Sequence, residues 1–145
     1  MLMGEFNHTI DDKLRMIIPS KFREELGDDV IVTRGLEKCL FIYSKTGWDK
    51  ITKKLNTLPF TKKDARNFTR LFLSGATLCS FDKQGRIKLV KHLCDYANIK
   101  KECVVIGVND RVEVWAKEDW DKYYEEQEQT LSDAAEKLFE TDIDL

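Results

Sequence analysis

The sequence predicts an α+β fold in which two copies of one β-rich unit form a single pseudo-symmetric β-barrel with peripheral helices. Three observations predict it: an internal duplication, short strands separated by tight turns, and helical segments after each copy. Four short strands and one small helix make a poor core alone. Interleaving two copies into a closed barrel also removes exposed strand edges. We therefore expect one shared core rather than two separate domains.

The duplication extends over most of the chain. Residues 11–15 (DDKLR) match residues 82–86 (DKQGR) at an offset of 71 positions, and residues 45–49 (KTGWD) match 117–121 (KEDWD) at 72. Apolar segments between these blocks match as well: 30–32 with 103–105, and 40–43 with 112–115. Chance seldom keeps both order and offset over several blocks.

Each copy is expected to contain four strands and one short helix. The predicted strands are 5–10, 15–18, 30–33 and 40–43 in the first copy, and 77–81, 86–90, 103–108 and 112–115 in the second. Asp82 to Gly85 has the residue preferences of a type I turn. Pro19 suits the first turn of the short helix, where its missing amide hydrogen costs nothing. Gly35 and the Asn109-Asp110 pair supply hairpin turns.

Helices are predicted after each copy. A stripe of Trp48, Ile51 and Leu55 indicates the first, and Thr61 with Asp64 predicts a capped second helix. That second helix is expected to bury Ala65, Phe68 and Leu71 or Phe72, and to carry Lys62, Lys63, Arg66 and Arg70 on its other side. One last helix is expected from about Lys117 through Trp120, Tyr123 and Tyr124, fraying around residues 141–145. The predicted divisions are a first unit at 1–48, connecting helices at 49–75, a second unit at 76–121, and an acidic helix and tail at 122–145.

Composition narrows the class of protein. The chain is 42% hydrophobic, but no apolar run approaches the roughly 18 residues of a membrane span. Its start lacks the regions of a signal peptide, so a cytoplasmic protein is expected. Four cysteines without a C-x-x-C pair favour buried reduced thiols, and no metal or other cofactor is expected. The four are Cys39, Cys79, Cys94 and Cys103.

Charge is distributed unevenly. From residue 118 to 145, acidic residues exceed basic ones by nine, whereas before that segment basic residues exceed acidic ones by seven. A basic body with an acidic tail suits a polyanion partner. A charged helix that merely improves solubility explains the tail equally well.

The repeated D-x-x-x-R motif carries the main functional hypothesis. Asp11 with Arg15, and Asp82 with Arg86, place an arginine just after each turn. The planar guanidinium can hold a phosphate or a guanine edge with two hydrogen bonds. The aspartate could orient that arginine, or could cap the turn through the amide two residues on. Lys13 and Lys83 are close to these motifs in sequence. The basic surface could extend further through Lys21, Arg23, Lys88 and Lys91.

The Asp–Arg motif also has a simpler interpretation. One isolated Asp–Arg pair is usually a plain surface salt bridge, but two copies at equivalent positions favour function. An enzyme is not expected, because His8 beside Asp11 makes no nucleophile–base set, and no phosphate loop, dinucleotide fingerprint or metal-ligand spacing is present.

The residues also resemble a known family. Gly4-Glu5-Phe6, the first D-x-K-x-R and the run Ile18 to Arg23 resemble the start of MraZ proteins, and the second D-x-x-G-R with Val104 to Gly107 resembles their second half. This implies two SpoVT/AbrB-like swapped-hairpin units per chain. It also implies a bacterial transcriptional regulator, a homo-oligomeric ring that binds short direct repeats of double-stranded DNA in the promoter of the division and cell-wall gene cluster. The DNA-binding residues would be Asp11, Lys13, Arg15, Asp82, Lys83 and Arg86, in a nucleoid-associated protein without a membrane or small-molecule partner.

The departures from the family pattern are Leu14, where glycine is usual, and Val90, where the second motif often has proline. A hydrolase is the least expected rival function, and two others remain. One is an interaction ring without a nucleic-acid role, in which Asp–Arg pairs join subunits. The other is an antitoxin of the same fold that binds both DNA and a protein toxin, with the acidic C-terminal helix as the toxin-binding segment.

Overall fold

Eight strands and six helices make up residues 1–140, the part of the chain that this computed structural model describes. The strands are β1 (Leu2–Thr9), β2 (Arg15–Ile17), β3 (Asp29–Arg34), β4 (Leu40–Ser44), β5 (Thr77–Ser80), β6 (Arg86–Lys88), β7 (Glu102–Asn109) and β8 (Arg111–Ala116). The helices are α1 (Ser20–Leu26), α2 (Lys45–Leu55), α3 (Lys63–Ser74), α4 (Lys91–Tyr96), α5 (Lys117–Glu128) and α6 (Leu131–Phe139). The fraying expected at 141–145 lies outside the described residues.

Six strands form one antiparallel sheet in the order β1-β7-β8-β4-β3-β5. Strand β1 of the first copy pairs with β7 of the second, and β5 of the second copy pairs with β3 of the first. If each strand is replaced by its equivalent in the other copy, the same strand order is obtained, read from the opposite edge. The copies interleave in one sheet, and both contribute side chains to the apolar cluster on each of its faces, as expected from the poor core of a single copy.

The two remaining strands, β2 and β6, pair with each other and form an antiparallel ribbon. An isolated bridge between Ile10 and Met16 links the ribbon to the end of β1. The α+β class is confirmed, but the six-stranded sheet is open between its edge strands β1 and β5. The closed barrel predicted from the sequence is therefore not confirmed.

Side chains that alternate along the strands of the sheet contribute to two apolar clusters, one on each face. One face packs with the inner side of the ribbon and with α1 and α4, around buried residues such as Phe22, Leu40 and Val105. The other face, with Tyr43 and Trp115, is covered by α2, α3 and α5. The predicted stripe of α2 (Trp48, Ile51 and Leu55) packs on this second cluster.

The four cysteines are buried and unpaired, as predicted. Burial raises the pKa of each thiol, that of Cys103 to about 12. None of the helices within residues 1–140 is long and apolar enough to cross a membrane.

Three local predictions need correction. Helix α3 has Lys62 at its N-cap without a side-chain cap, because Thr61 lies in a loop whose carbonyl oxygens accept from the Arg66 guanidinium. Phe68 is 37% exposed and not buried as predicted, whereas of the alternatives Leu71 and Phe72 the helix buries Phe72. The C-terminal segment forms two helices, because the Thr130 hydroxyl donates to the Gln127 carbonyl where the first one ends.

Candidate nucleic-acid interface

The two D-x-x-x-R turns have the same hydrogen-bonded geometry. In the first, Oδ1 of Asp11 accepts from the backbone amides of Lys13 and Arg15, each at 2.9 Å. In the second, Oδ1 of Asp82 accepts from the amides two and four residues later, again at 2.9 Å. Each turn also closes with a backbone bond of 3.0 Å from its fourth residue to the aspartate carbonyl. The carboxylate therefore sets the backbone of both turns.

The second oxygen of each carboxylate holds the arginine. Nε of Arg15 donates to Oδ2 of Asp11 at 2.7 Å, and Nε of Arg86 donates to Oδ2 of Asp82 at the same distance. The aspartate thus caps the turn and orients the guanidinium at once, which joins the two alternatives left open by the sequence. The backbone amides of the arginines, with their side chains, hold the pKa of both carboxyl groups below the usual range.

The fourth turn position is left-handed in both copies. Gly85 has φ of 77° and Leu14 has φ of 63°. A Cβ on Gly85 would lie 2.3 Å from Nη1 of Arg23, whose Nε donates to the Ile18 carbonyl at 2.9 Å. At the offset of 71, Arg23 corresponds to Cys94, which lies in the main core against which Leu14 packs. The pair of Arg23 and Gly85 thus corresponds to the pair of Cys94 and Leu14. The larger left-handed residue, leucine, goes with the smaller residue of the helix, cysteine.

The strand–helix junctions also match. Pro19 and Val90 occupy equivalent positions just before α1 and α4, with similar ψ angles of 137° and 148°. Pro19 lies one residue before the helix, not within its first turn as predicted. Valine can occupy this position because Val90 enters its helix from an extended backbone without a proline ring.

The register of the ribbon brings both motifs onto one surface. Arg15 pairs with Lys88 and Ile17 pairs with Arg86, while Met16 and its partner Ile87 are fully buried on the inner side. Because side chains alternate along a strand, the other four residues share the outer side. We call Arg15, Ile17, Arg86 and Lys88 the ribbon face. Nη1 of Arg86 also lies 4.0 Å from Oδ2 of Asp11.

The two arginines are held in place but accessible. Their side chains are 32% exposed for Arg15 and 24% exposed for Arg86. Within residues 1–140, the terminal nitrogens of Arg15 donate no hydrogen bond, and Arg86 makes one long bond of 3.4 Å to Gln84. These donors are therefore available to an external acceptor, such as a phosphate or a base edge.

The two predicted turns lie at opposite ends of the short ribbon, because Arg15 pairs with Lys88 at one end and Arg86 pairs with Ile17 at the other. Lys13 and Lys83 are exposed at the turn tips, but they are not equivalent, since the offset of 71 pairs them with Gln84 and Asp12. Arg23 packs over Gly85 instead of extending the basic surface. Sequence reasoning missed Ile17, although the alternation from Arg15 could have indicated it.

Comparison with known protein families finds the same duplication. A family model described as "MraZ protein, putative antitoxin-like" matches residues 1–71 and again residues 72–142. The chain is also similar to "The solution structure of PHS018 from pyrococcus horikoshii", with 20% identity over 79% of this chain and 88% of that chain. The TM-score of that match is 0.32, so it carries no structural argument.

Proposed function

The chain belongs to the MraZ family, and from that premise we propose that it is a sequence-specific DNA-binding transcriptional regulator that contacts DNA through the ribbon face. The observation that carries this proposal is the pair of aspartate-held arginines on one accessible surface. Nε of each is occupied by the carboxylate, which leaves both terminal nitrogens of Arg15 for the ligand, while those of Arg86 make only one long bond, to Gln84, and lie near Asp11.

The shape of the ribbon supports a major-groove contact. The major groove of B-DNA admits a two-stranded β-ribbon, and arginine there makes the commonest specific contact, to O6 and N7 of guanine. Lys13 and Lys83, exposed at the turn tips, are suited to neutralise phosphates. Fixing each guanidinium before binding lowers the entropy that the contact costs.

The finer parts of the proposal rest on the family and on general physics. A homo-oligomeric ring would present several ribbon faces, and each later contact would then be intramolecular and strengthen binding. The targets would be short direct repeats in the promoter of the division and cell-wall gene cluster, in the cytoplasm at the nucleoid. The bridge between Ile10 and Met16 supports a barrel that the ribbon closes.

The test compares Arg15→Ala and Arg86→Ala with the wild type on DNA selected by the wild type from a random pool. Each variant should lose about 5- to 150-fold in affinity for the selected site, since one good arginine–base pair contributes about 1–3 kcal/mol. Arg70→Ala, which changes an exposed residue of α3, is the matched control and should bind as the wild type does.

Particle mass by light scattering completes this experiment. If all variants keep the mass of the wild type while only the ribbon variants lose specific DNA binding, the proposal holds. Smaller particles with Arg15→Ala would instead favour Asp–Arg pairs that join subunits. If both ribbon variants bind the selected DNA as tightly as the wild type, the proposal fails.

A second candidate, an antitoxin-like protein that also binds a toxin, is favoured by the description of the matching family model. The acidic C-terminal segment supports it, since α6 exposes Leu131 beside acidic residues. Co-expression of the full chain with a small basic protein encoded beside it tests this candidate. Stable co-purification with relief of growth arrest favours it, and separate elution without any effect on growth contradicts it.

A further inference from the structure

The two halves of the ribbon face differ chemically although the backbone repeats. At the offset of 71, Arg15 corresponds to Arg86, but Ile17 corresponds to Lys88. Because β2 and β6 are antiparallel, Arg15 lies opposite the lysine and Arg86 lies opposite the isoleucine. One arginine therefore has a cation as its cross-strand neighbour, and the other has an apolar side chain.

Ile17 is an aliphatic side chain in charged surroundings. It is 43% exposed, although its neighbours Met16 and Ile18 are fully buried. On the outer side of the ribbon it adds nothing to the main core, which the inner side fills. Its position beside Arg86 would bring it to the same part of the groove as that guanidinium.

Major-groove edges of base pairs present hydrogen-bonding groups and one prominent apolar group, the C5-methyl of thymine. An exposed isoleucine next to a base-reading arginine matches that methyl group. A lysine next to an arginine matches the phosphate backbone instead, because its compact charge binds phosphate without fixed geometry.

We propose that Ile17 reads the C5-methyl of a thymine beside the base contacted by Arg86, whereas Lys88 contacts a phosphate beside Arg15. This inference rests on the proposed function and adds a specificity-determining residue to it. The pseudo-twofold symmetry of the ribbon is thereby broken. Each chain then reads a site that has a direction, not a palindrome.

The test replaces thymines of the selected DNA site with deoxyuridine one at a time, which removes only the methyl group. In the wild type, one replacement should weaken binding about fourfold, because burying one apolar carbon contributes about 0.8 kcal/mol. With Ile17→Ala, the same replacement should have no further effect. Leu78→Ala, an exposed aliphatic residue on β5, is the matched control and should keep the fourfold response.

The lysine half is tested by salt. Lys88→Ala should weaken binding to all sites alike and reduce the slope of log affinity against log salt by about one unit. The double variant Ile17→Lys with Lys88→Ile should move the methyl-sensitive thymine to the Arg15 side of the site.

The outcomes separate this inference from the proposed function. If the wild type binds a specific site and loses affinity with Arg86→Ala, but Ile17→Ala keeps the full methyl response, the role of Ile17 is wrong and the regulator stands. If the wild type selects no site at all, both fail. A methyl response that disappears only with Ile17→Ala supports the inference.

Discussion

The turns of the two copies keep the same hydrogen bonds although their sequences differ at the most constrained position. Leucine occupies the left-handed position in the first turn and glycine occupies it in the second. In both, the aspartate accepts the same two backbone amides and the same Nε. The aspartate, and not the glycine, therefore defines this turn. Glycine is required in the second copy because a side chain there would clash with Arg23.

The largest expected effect tests whether the copies are equivalent inside the core. Met16→Ala and Ile87→Ala each remove a fully buried side chain from the inner side of the ribbon. Each should lower the free energy of unfolding by about 2–5 kcal/mol. Urea unfolding of both variants measures this. A loss for only one of the two would show that only one strand of the ribbon is packed on the core.

The next effect tests the space requirement at the turns. Gly85→Leu should lower the free energy of unfolding by about 2 kcal/mol, because a left-handed non-glycine residue is strained and its Cβ displaces Arg23. Combining it with Arg23→Cys copies the arrangement of Leu14 and Cys94, so the double variant should regain part of the loss. A double-mutant cycle measured by urea unfolding shows this coupling.

The matched control is the reverse change in the first turn. Leu14→Gly relieves the left-handed strain but removes a half-buried side chain, so the free energy of unfolding should change by less than about 0.5 kcal/mol. A loss as large as that of Gly85→Leu would contradict the idea that only the second turn is crowded.

The sequence predicted the turns and most strands because their signals are local: the repeated motif, alternation and turn residues. It could not predict that Ile17 faces Arg86, since the register between the copies is set by tertiary packing. The cap at Thr61 failed because Arg66 organises that loop through backbone carbonyl oxygens. The division of the last helix at Thr130 was missed because its helical pattern continues on both sides.

A smaller effect concerns pH. The folded-state pKa values of Asp11 and Asp82 lie below 3.8, chiefly because arginine backbone amides donate to the carboxylates. Their contribution to stability is therefore complete above pH 3.8 and is lost as the pH falls through the folded-state values. Carboxyl carbon shifts measured by NMR should show both groups titrating with midpoints below 3.8. A midpoint at or above 3.8 for either one would contradict the shared geometry.

His8 provides the contrast for this titration. Burial lowers the pKa of His8 below 6.5. As the pH falls below 6.5, the unfolded chain therefore binds a proton at this histidine before the folded chain does, and the free energy of unfolding decreases. The equivalent position in the second copy is Cys79, which does not gain charge in that range. His8→Gln should remove the stability change between pH 7 and 5, measured by urea unfolding. An unchanged profile would place its cause elsewhere.

DNA contact through the ribbon face is tested most directly by cross-linking at the turn tips. A photoreactive benzophenone amino acid replaces Lys13, Lys83 or, as control, the exposed Lys53 on α2, which packs on the opposite face of the sheet. Upon irradiation with the selected DNA, the two turn positions should cross-link to it and the α2 position should not. Cross-links from Lys53 alone, with none from either turn, would contradict a DNA contact through the ribbon face.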